Sequence, residues 1–333
     1  MTEAASVTTR RASTDDEDLR HCANVLREGS KSFYGASRLL PARFRLPAIA
    51  LYAFCRTADD AVDDPSLTDR DARLRAADGL SRRLDRVYAA YDPRGPVERA
   101  FGKVAISHRI PRALPDALLE GMRWDAEGLE IPTLDALEAY AARVAAAVGA
   151  MMTLVMGVRE RSALSRACDL GVAMQLTNVA RDVGADAALG RMYLPTAWLE
   201  AEGLGRDEAL RLARDEIFDP RIGRVTLRLL RRADALYARA ETGIRALPSD
   251  ARAAILGARL VYADIGREIA EHGYDSVTRR AVVPKARKIA LLGVARARVL
   301  LWSASPWKRP ISDDPPLAAT RFLVAAATEH EPS

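Results

Sequence analysis

An all-α fold follows from three features of the chain. Ala, Leu, Arg and Glu, all good helix formers, dominate from Asp16 to about Trp302. The Val/Ile/Thr-rich alternation that marks half-buried strands is nearly absent. Proline and glycine punctuate the chain at helix-length intervals. With 333 residues, 49% hydrophobic and 29% charged, the chain can bury a sizeable core, and general disorder is excluded.

The elements read in order as follows. Residues 1–15 are polar and are expected to be a disordered N-terminal segment. Residues 16–302 read as a single all-helical domain. Its helices are separated at Pro41, Pro47, Pro65, Pro93/Gly95, Pro111/Pro115, Pro132, Gly190/Pro195, Pro220, Pro248 and Pro284. Residues 303–333, with Pro306, Pro310, Pro315 and Pro316, read as an irregular Pro-rich tail.

Composition excludes several function classes. Lys+Arg is 50 against Asp+Glu 45, a formal excess of 50 − 45 = +5. That balance is a mixed surface, and no nucleic-acid partner is expected. Three widely spaced cysteines, Cys22, Cys55 and Cys168, make neither a disulfide framework nor a zinc site, and a cytoplasmic setting fits. No secretory signal is read at the N-terminus. The longest uncharged run, Val144–Val158, is short of the ~20 residues that span a bilayer and reads as a buried helix. This leaves room for peripheral contact at the inner face of the membrane. Neither GxGxxG nor GxxxxGK[ST] occurs in a nucleotide-binding context.

Two acidic clusters carry the chemistry. The first is Arg56-Thr-Ala-Asp59-Asp60-Ala-Val-Asp63-Asp64. Asp is a poor helix former, like charges at i,i+4 repel, and a helix C-terminus is already negative. At 100° per residue, Tyr52, Arg56, Asp59 and Asp63 fall within about 60° of arc. The second cluster places Gln175, Asn178, Asp182 and Asp186 within about 80° on one helix, whose body is otherwise apolar. A polar stripe on such a helix faces a cavity. Two DxxxD walls can share hard cations such as Mg²⁺, with Mn²⁺ as the alternative, and leave positions for substrate phosphate. That suits ionisation of an allylic diphosphate. The leaving group needs neutralisation, and the carbocation needs an apolar, water-poor cavity.

These segments resemble the squalene and phytoene synthases, bacterial phytoene synthases in particular. Four stretches carry the likeness: Gly29–Phe33 with Ser37–Pro41, Tyr52–Asp64, Gln175–Pro195, and Ala258–Tyr262 with Gly273–Lys285. The resemblance implies an isoprenoid-synthase helical bundle around a central cavity. It implies that Asp59, Asp63, Asn178, Asp182 and Asp186 bind Mg²⁺. It implies that Ser30, Lys31, Ser32, Arg56, Gln175, Arg181 and Arg280 hold diphosphates. Tyr52 and Tyr262 are implied near the reacting carbons, and Tyr140 and Tyr193 on the cavity wall. One departure is Arg143, where the family has a small, Gly-containing turn, and it is expected to alter the second substrate's cavity. The implied reaction joins two geranylgeranyl diphosphates through a cyclopropyl diphosphate to phytoene. The alternatives are a squalene or dehydrosqualene synthase using farnesyl diphosphate, or a non-catalytic assembly factor. A di-iron carboxylate bundle lacks its Glu-x-x-His ligands. Oligomeric state is not legible. Trp124-Asp125 receives no role.

Overall fold

The computed structural model describes residues 2–30, 34–35, 37–64, 66–67, 69–89, 93–304 and 311–329, with backbone alone for 2–14 and 303–304. No strand occurs among the described residues. The helices are α1 (Thr2–Gly29), α2 (Ala42–Val62), α3 (Arg70–Tyr88), α4 (Pro96–Ser107), α5 (Ala113–Glu127) and α6 (Leu134–Val155). They continue as α7 (Arg161–Arg181), α8 (Val183–Ala188), α9 (Thr196–Ala201), α10 (Arg206–Arg214), α11 (Pro220–Gly243), α12 (Ser249–Glu271), α13 (Lys285–Ala304) and α14 (Arg321–Thr328).

Local chemistry sets many of the starts and stops. Asp69 caps α3 by accepting from the Ala72 N–H at 2.7 Å. Asp219 caps α11 through the Arg221 N–H, and Pro220 sits in the first turn. Gly128 ends α5 in the left-handed conformation at φ 76°. Pro47 does not break the chain as expected: α2 runs through it. Pro47 lies in the second turn, so the missing N–H orphans one carbonyl close to the helix start.

Helix α7 is the hub. It is buried on nearly every side and packs against α6, α11, α12 and α14. Glycines let neighbouring backbones approach it: a Cβ on Gly171 would sit 2.6 Å from Ala146 Cα. Ala146 closes a π-helical turn, Ala142–Ala146, inside α6. Val144 of that turn lies against Gly121 of α5, where a Cβ would meet its Cγ1 at 2.6 Å, and lines both cavities described below. Helix α6 has the length and apolarity of a membrane span, yet it packs into the core.

Both terminal expectations need correction. The N-terminal segment continues α1 back to Thr2, because extending an anchored helix avoids the nucleation cost. Lys103 on α4 pairs with Asp15 at its side. The Pro-rich tail folds back: Leu323, Val324 and Ala327 of α14 are fully buried in the main core. Beyond the prolines, an apolar i, i+1, i+4 set still finds a face to cover.

Candidate active site

Helix α2 delivers the first acidic wall. Asp59 lies in its last turn, and Asp63 is the residue that caps its C-terminus. Arg56, one turn back, hydrogen-bonds Asp59 at 3.4 Å and Asp60 at 3.1 Å. Asp63 receives a bidentate pair from Arg191, at 2.5 and 3.3 Å. Burial, then the neighbouring Asp63, raises Asp59 to about 6.

Helix α7 delivers the second. The sequence places Gln175, Asn178, Asp182 and Asp186 on one helix, but α7 stops at Arg181 and α8 starts at Val183. The cause is tertiary. The Gly184 N–H bonds the Ser276 carbonyl, and a Cβ there would lie 2.1 Å from the Val277 carbonyl oxygen. The 276–277 loop therefore wedges against the junction. The i−4 bonds from Asp182 to Asn178 and from Asp186 to Asp182 survive, so the polar stripe keeps its register. Asp182 accepts from Arg181 at 2.8 and 2.5 Å and from Arg280 at 2.7 Å. Burial would raise Asp182, but these guanidinium bonds hold it below the ordinary carboxylate range. Asp186 is pushed up to about 7, by burial and then by Asp182.

Between the walls lies a polar cavity of about 300 Å³, lined by Tyr52, Arg56, Asp59, Asp125, Gln175 and Asn178 among others. An apolar cavity of about 330 Å³ continues from it, sharing Tyr52, Cys55, Val144, Gln175 and Asn178. Tyr262 lines the apolar part. Burial raises both the Tyr52 and Tyr262 phenols, so each stays neutral. Gly29, at the end of α1, makes room for this wall: a Cβ there would meet the Tyr52 hydroxyl at 2.8 Å.

Most of the expected residues thus converge. Ser30 sits just past α1, and Lys31 and Ser32 lie outside the described residues. Tyr140 lines the polar cavity, and Tyr193 stacks on it at 5.2 Å between ring centroids. Both phenols donate to one carboxylate, Asp125, at 2.8 and 2.6 Å. Asp125 and Arg191 are the residues that sequence reasoning missed. A lone Asp among the apolar positions of α5 was the available signal for the first. Arg143 corrects another expectation. It stacks on Trp124 at 4.0 Å, pairs with Glu120 and approaches Phe322 of α14. It therefore faces away from the cavity that its neighbour Val144 lines.

Among the described residues, no group of three His, Cys, Asp or Glu side chains closes a metal cage by itself. The donor set nonetheless fits a hard cation that shares its shell with substrate oxygens. The Asn178 Oδ1 is buried without a hydrogen-bond partner, and Asp59 and Asp186 are carboxylates short of positive charge.

An all-α bundle with two carboxylate walls above a hydrocarbon cavity has the form of a prenyl-diphosphate-processing enzyme. The chain belongs to the squalene/phytoene synthase family, whose model matches residues 26–287. It is 49% identical to the phytoene synthase of Cereibacter sphaeroides, over 95% of this chain and 89% of the relative. It is 41% identical to the 15-cis-phytoene synthase of a Paracoccus species, over 83% and 91%. Among solved structures, a dehydrosqualene synthase superposes with a TM-score of 0.74 at 28% identity, covering 86% of this chain and 98% of that one. The squalene synthase HpnC of Alicyclobacillus acidocaldarius gives 0.69 at 26%, covering 78% and 95%.

Proposed function

We infer that the chain condenses two molecules of geranylgeranyl diphosphate head to head and releases phytoene. The observation that carries this is the pair of joined cavities: a charged compartment for diphosphate opens through Tyr52, Gln175 and Asn178 into an apolar one for hydrocarbon. The names of the relatives select the twenty-carbon substrate.

Asp59, Asp63, Asn178, Asp182 and Asp186 would hold Mg²⁺ or Mn²⁺, which supplies Lewis-acid neutralisation of the leaving diphosphate. Arg56, Arg181 and Arg280 already lie on these carboxylates and are placed to exchange them for diphosphate oxygens. The first allylic C–O bond breaks and its electron pair leaves with diphosphate. The double bond of the second molecule attacks the cation, and loss of a proton closes a cyclopropane. The cyclopropyl diphosphate ionises in turn, rearranges and loses a proton. Val144, Val148, Met152 and Leu170 exclude water from these cations. Tyr52 and Tyr262 present neutral rings to them.

The test is mass analysis of hydrocarbons made by purified protein with Mg²⁺. Geranylgeranyl and farnesyl diphosphate are supplied separately, with and without NADPH. Phytoene from the first, indifferent to NADPH, is expected. A thirty-carbon product formed preferentially would overturn the assignment.

We further propose peripheral contact with an anionic membrane. Helix α13 buries Ala295 and Val299 and exposes Ile289, Val294, Leu300 and Leu301 at 47–70%. It carries five basic residues and no acidic one, the pattern of an interfacial helix. Sedimentation with phosphatidylglycerol vesicles should retain the wild type and lose a Leu300→Ser/Leu301→Ser variant. Equal retention of both would exclude this helix as the contact.

A further inference from the structure

At its far end the apolar cavity is lined by Ala163 and by a cation. Arg166, on α7, lines it and is 1% exposed. At 1.5 Å per residue, the twelve residues from Asn178 place it about 18 Å along the helix. Four isoprene units, at roughly 4–5 Å each from C–C bonds near 1.5 Å, span the same distance.

The side chain has two parts with different surroundings. Its stem lies against Gly243 of α11, where an added Cβ would sit 2.3 Å from Arg166 Cβ and 2.8 Å from Cγ. The stem therefore fills the gap between α7 and α11. The guanidinium passes beyond it. It pairs with the fully buried Asp169 at 3.0 Å and donates to the Asp314 carbonyl at 3.0 Å. Arg239 completes the group, bonding Asp169 at 3.1 Å and the Pro315 carbonyl at 2.9 Å. The Ser312 N–H meets Thr242 Oγ1 on the same side. The chain at 311–317 is thus strapped onto the guanidinium groups behind this part of the wall, outside the stretch matched by the family model. Burying an arginine in apolar surroundings is costly, and a leucine would fill the gap without that cost. The strap explains the choice: only a residue with both a stem and a fork closes the cavity and ties down the tail.

We propose that Arg166, held by the 311–317 strap, is the floor of the hydrocarbon cavity and sets the longest prenyl chain the site accepts. The inference rests on the prenyl-diphosphate reading above. It makes Arg166 a specificity-determining residue that touches only the tail end of the substrate.

The experiment compares kcat/KM for twenty-carbon and twenty-five-carbon prenyl diphosphates in wild type, Arg166→Met and Arg166→Ala. Wild-type turnover of the twenty-carbon substrate tests the functional reading by itself, and the ratio tests the floor. Arg166→Met keeps a stem and should hold the ratio within about threefold of wild type. Arg166→Ala should raise the 25:20 ratio at least about tenfold, the scale of a methylene-length selection. Loss of the ion pairs alone would lower both rates and leave the ratio where it was. A folded Arg166→Ala protein with an unchanged ratio would overturn the proposal, as would equal ratios in the two variants. If Arg166→Ala fails to fold, Ala167→Leu, which adds bulk just above the floor, decides the matter. It should shift preference toward the fifteen-carbon substrate by about tenfold, and an unshifted preference counts against the floor.

Discussion

The two acidic walls share the spacing DxxxD and differ in nearly everything else. On α2 the pair hangs from a continuous helix end: Asp63 is bound by Arg191 from the 190–195 segment, and Asp59 keeps a long contact to Arg56. On the α7–α8 side the pair straddles a break. Asp182 is clamped by Arg181 and Arg280, while Asp186 is left with the more raised pKa, about 7 against about 6 for Asp59. Each wall therefore pairs a neutralised carboxylate with one short of positive charge. The lesson is that spacing sets which oxygens face the cavity, and the arginines brought in by other elements set which of them already carry a counter-charge.

The largest effect should come from removing a carboxylate on either wall. Asp59→Asn and Asp182→Asn should each lower kcat/KM by about a thousandfold or more, some 4 kcal/mol of transition-state stabilisation. Thermal unfolding should show Asp59→Asn as stable as wild type or slightly more so, because a like-charge repulsion at a helix C-terminus is relieved. Full turnover in excess EDTA, or a variant inactive only because it is unfolded, would break the equivalence of the walls.

The arginines sharpen the contrast. Asp182 has two guanidinium partners, whereas Asp63 is held bidentately by Arg191. Arg191→Gln should therefore cost more than Arg280→Gln: about 30-fold against about fivefold in kcat/KM, the range of charge-assisted hydrogen bonds. Steady-state kinetics giving the reverse order would show that Arg280 serves the substrate more than the wall.

The remaining effect is on stability. In chelator, Asp186 has a folded pKa raised to about 7. A raised acid favours folding in its protonated form, so its contribution is present at low pH and is lost as pH climbs from about 4 through about 7. Asp186→Asn should unfold like wild type near pH 4 and gain roughly 4 kcal/mol at most near pH 8, at about 1.4 kcal/mol per pKa unit. The same comparison at Asp59 should give a smaller gain at every pH, since its pKa is less raised and its side chain is 44% exposed. Urea titrations across this range measure both.

Helix content and the two carboxylate stripes were determined by sequence alone. Periodicity and like-charge spacing are local properties, and unfavourable Asp pairs mark themselves without a fold. The tertiary structure decided what those stripes meet. Asp125 becomes part of the site only because Tyr140 and Tyr193, 15 and 68 residues away, converge on it. Arg143 turns outward because Trp124 and Phe322 offer it ring faces, which no neighbour in sequence does. Arg166 looks like one more surface arginine in a chain that has 45 of them, 50 basic residues less five lysines. It is buried because Gly243 and the returning tail enclose it. Burial and partnership are set by segments far apart in the chain, so no window on the sequence contains them.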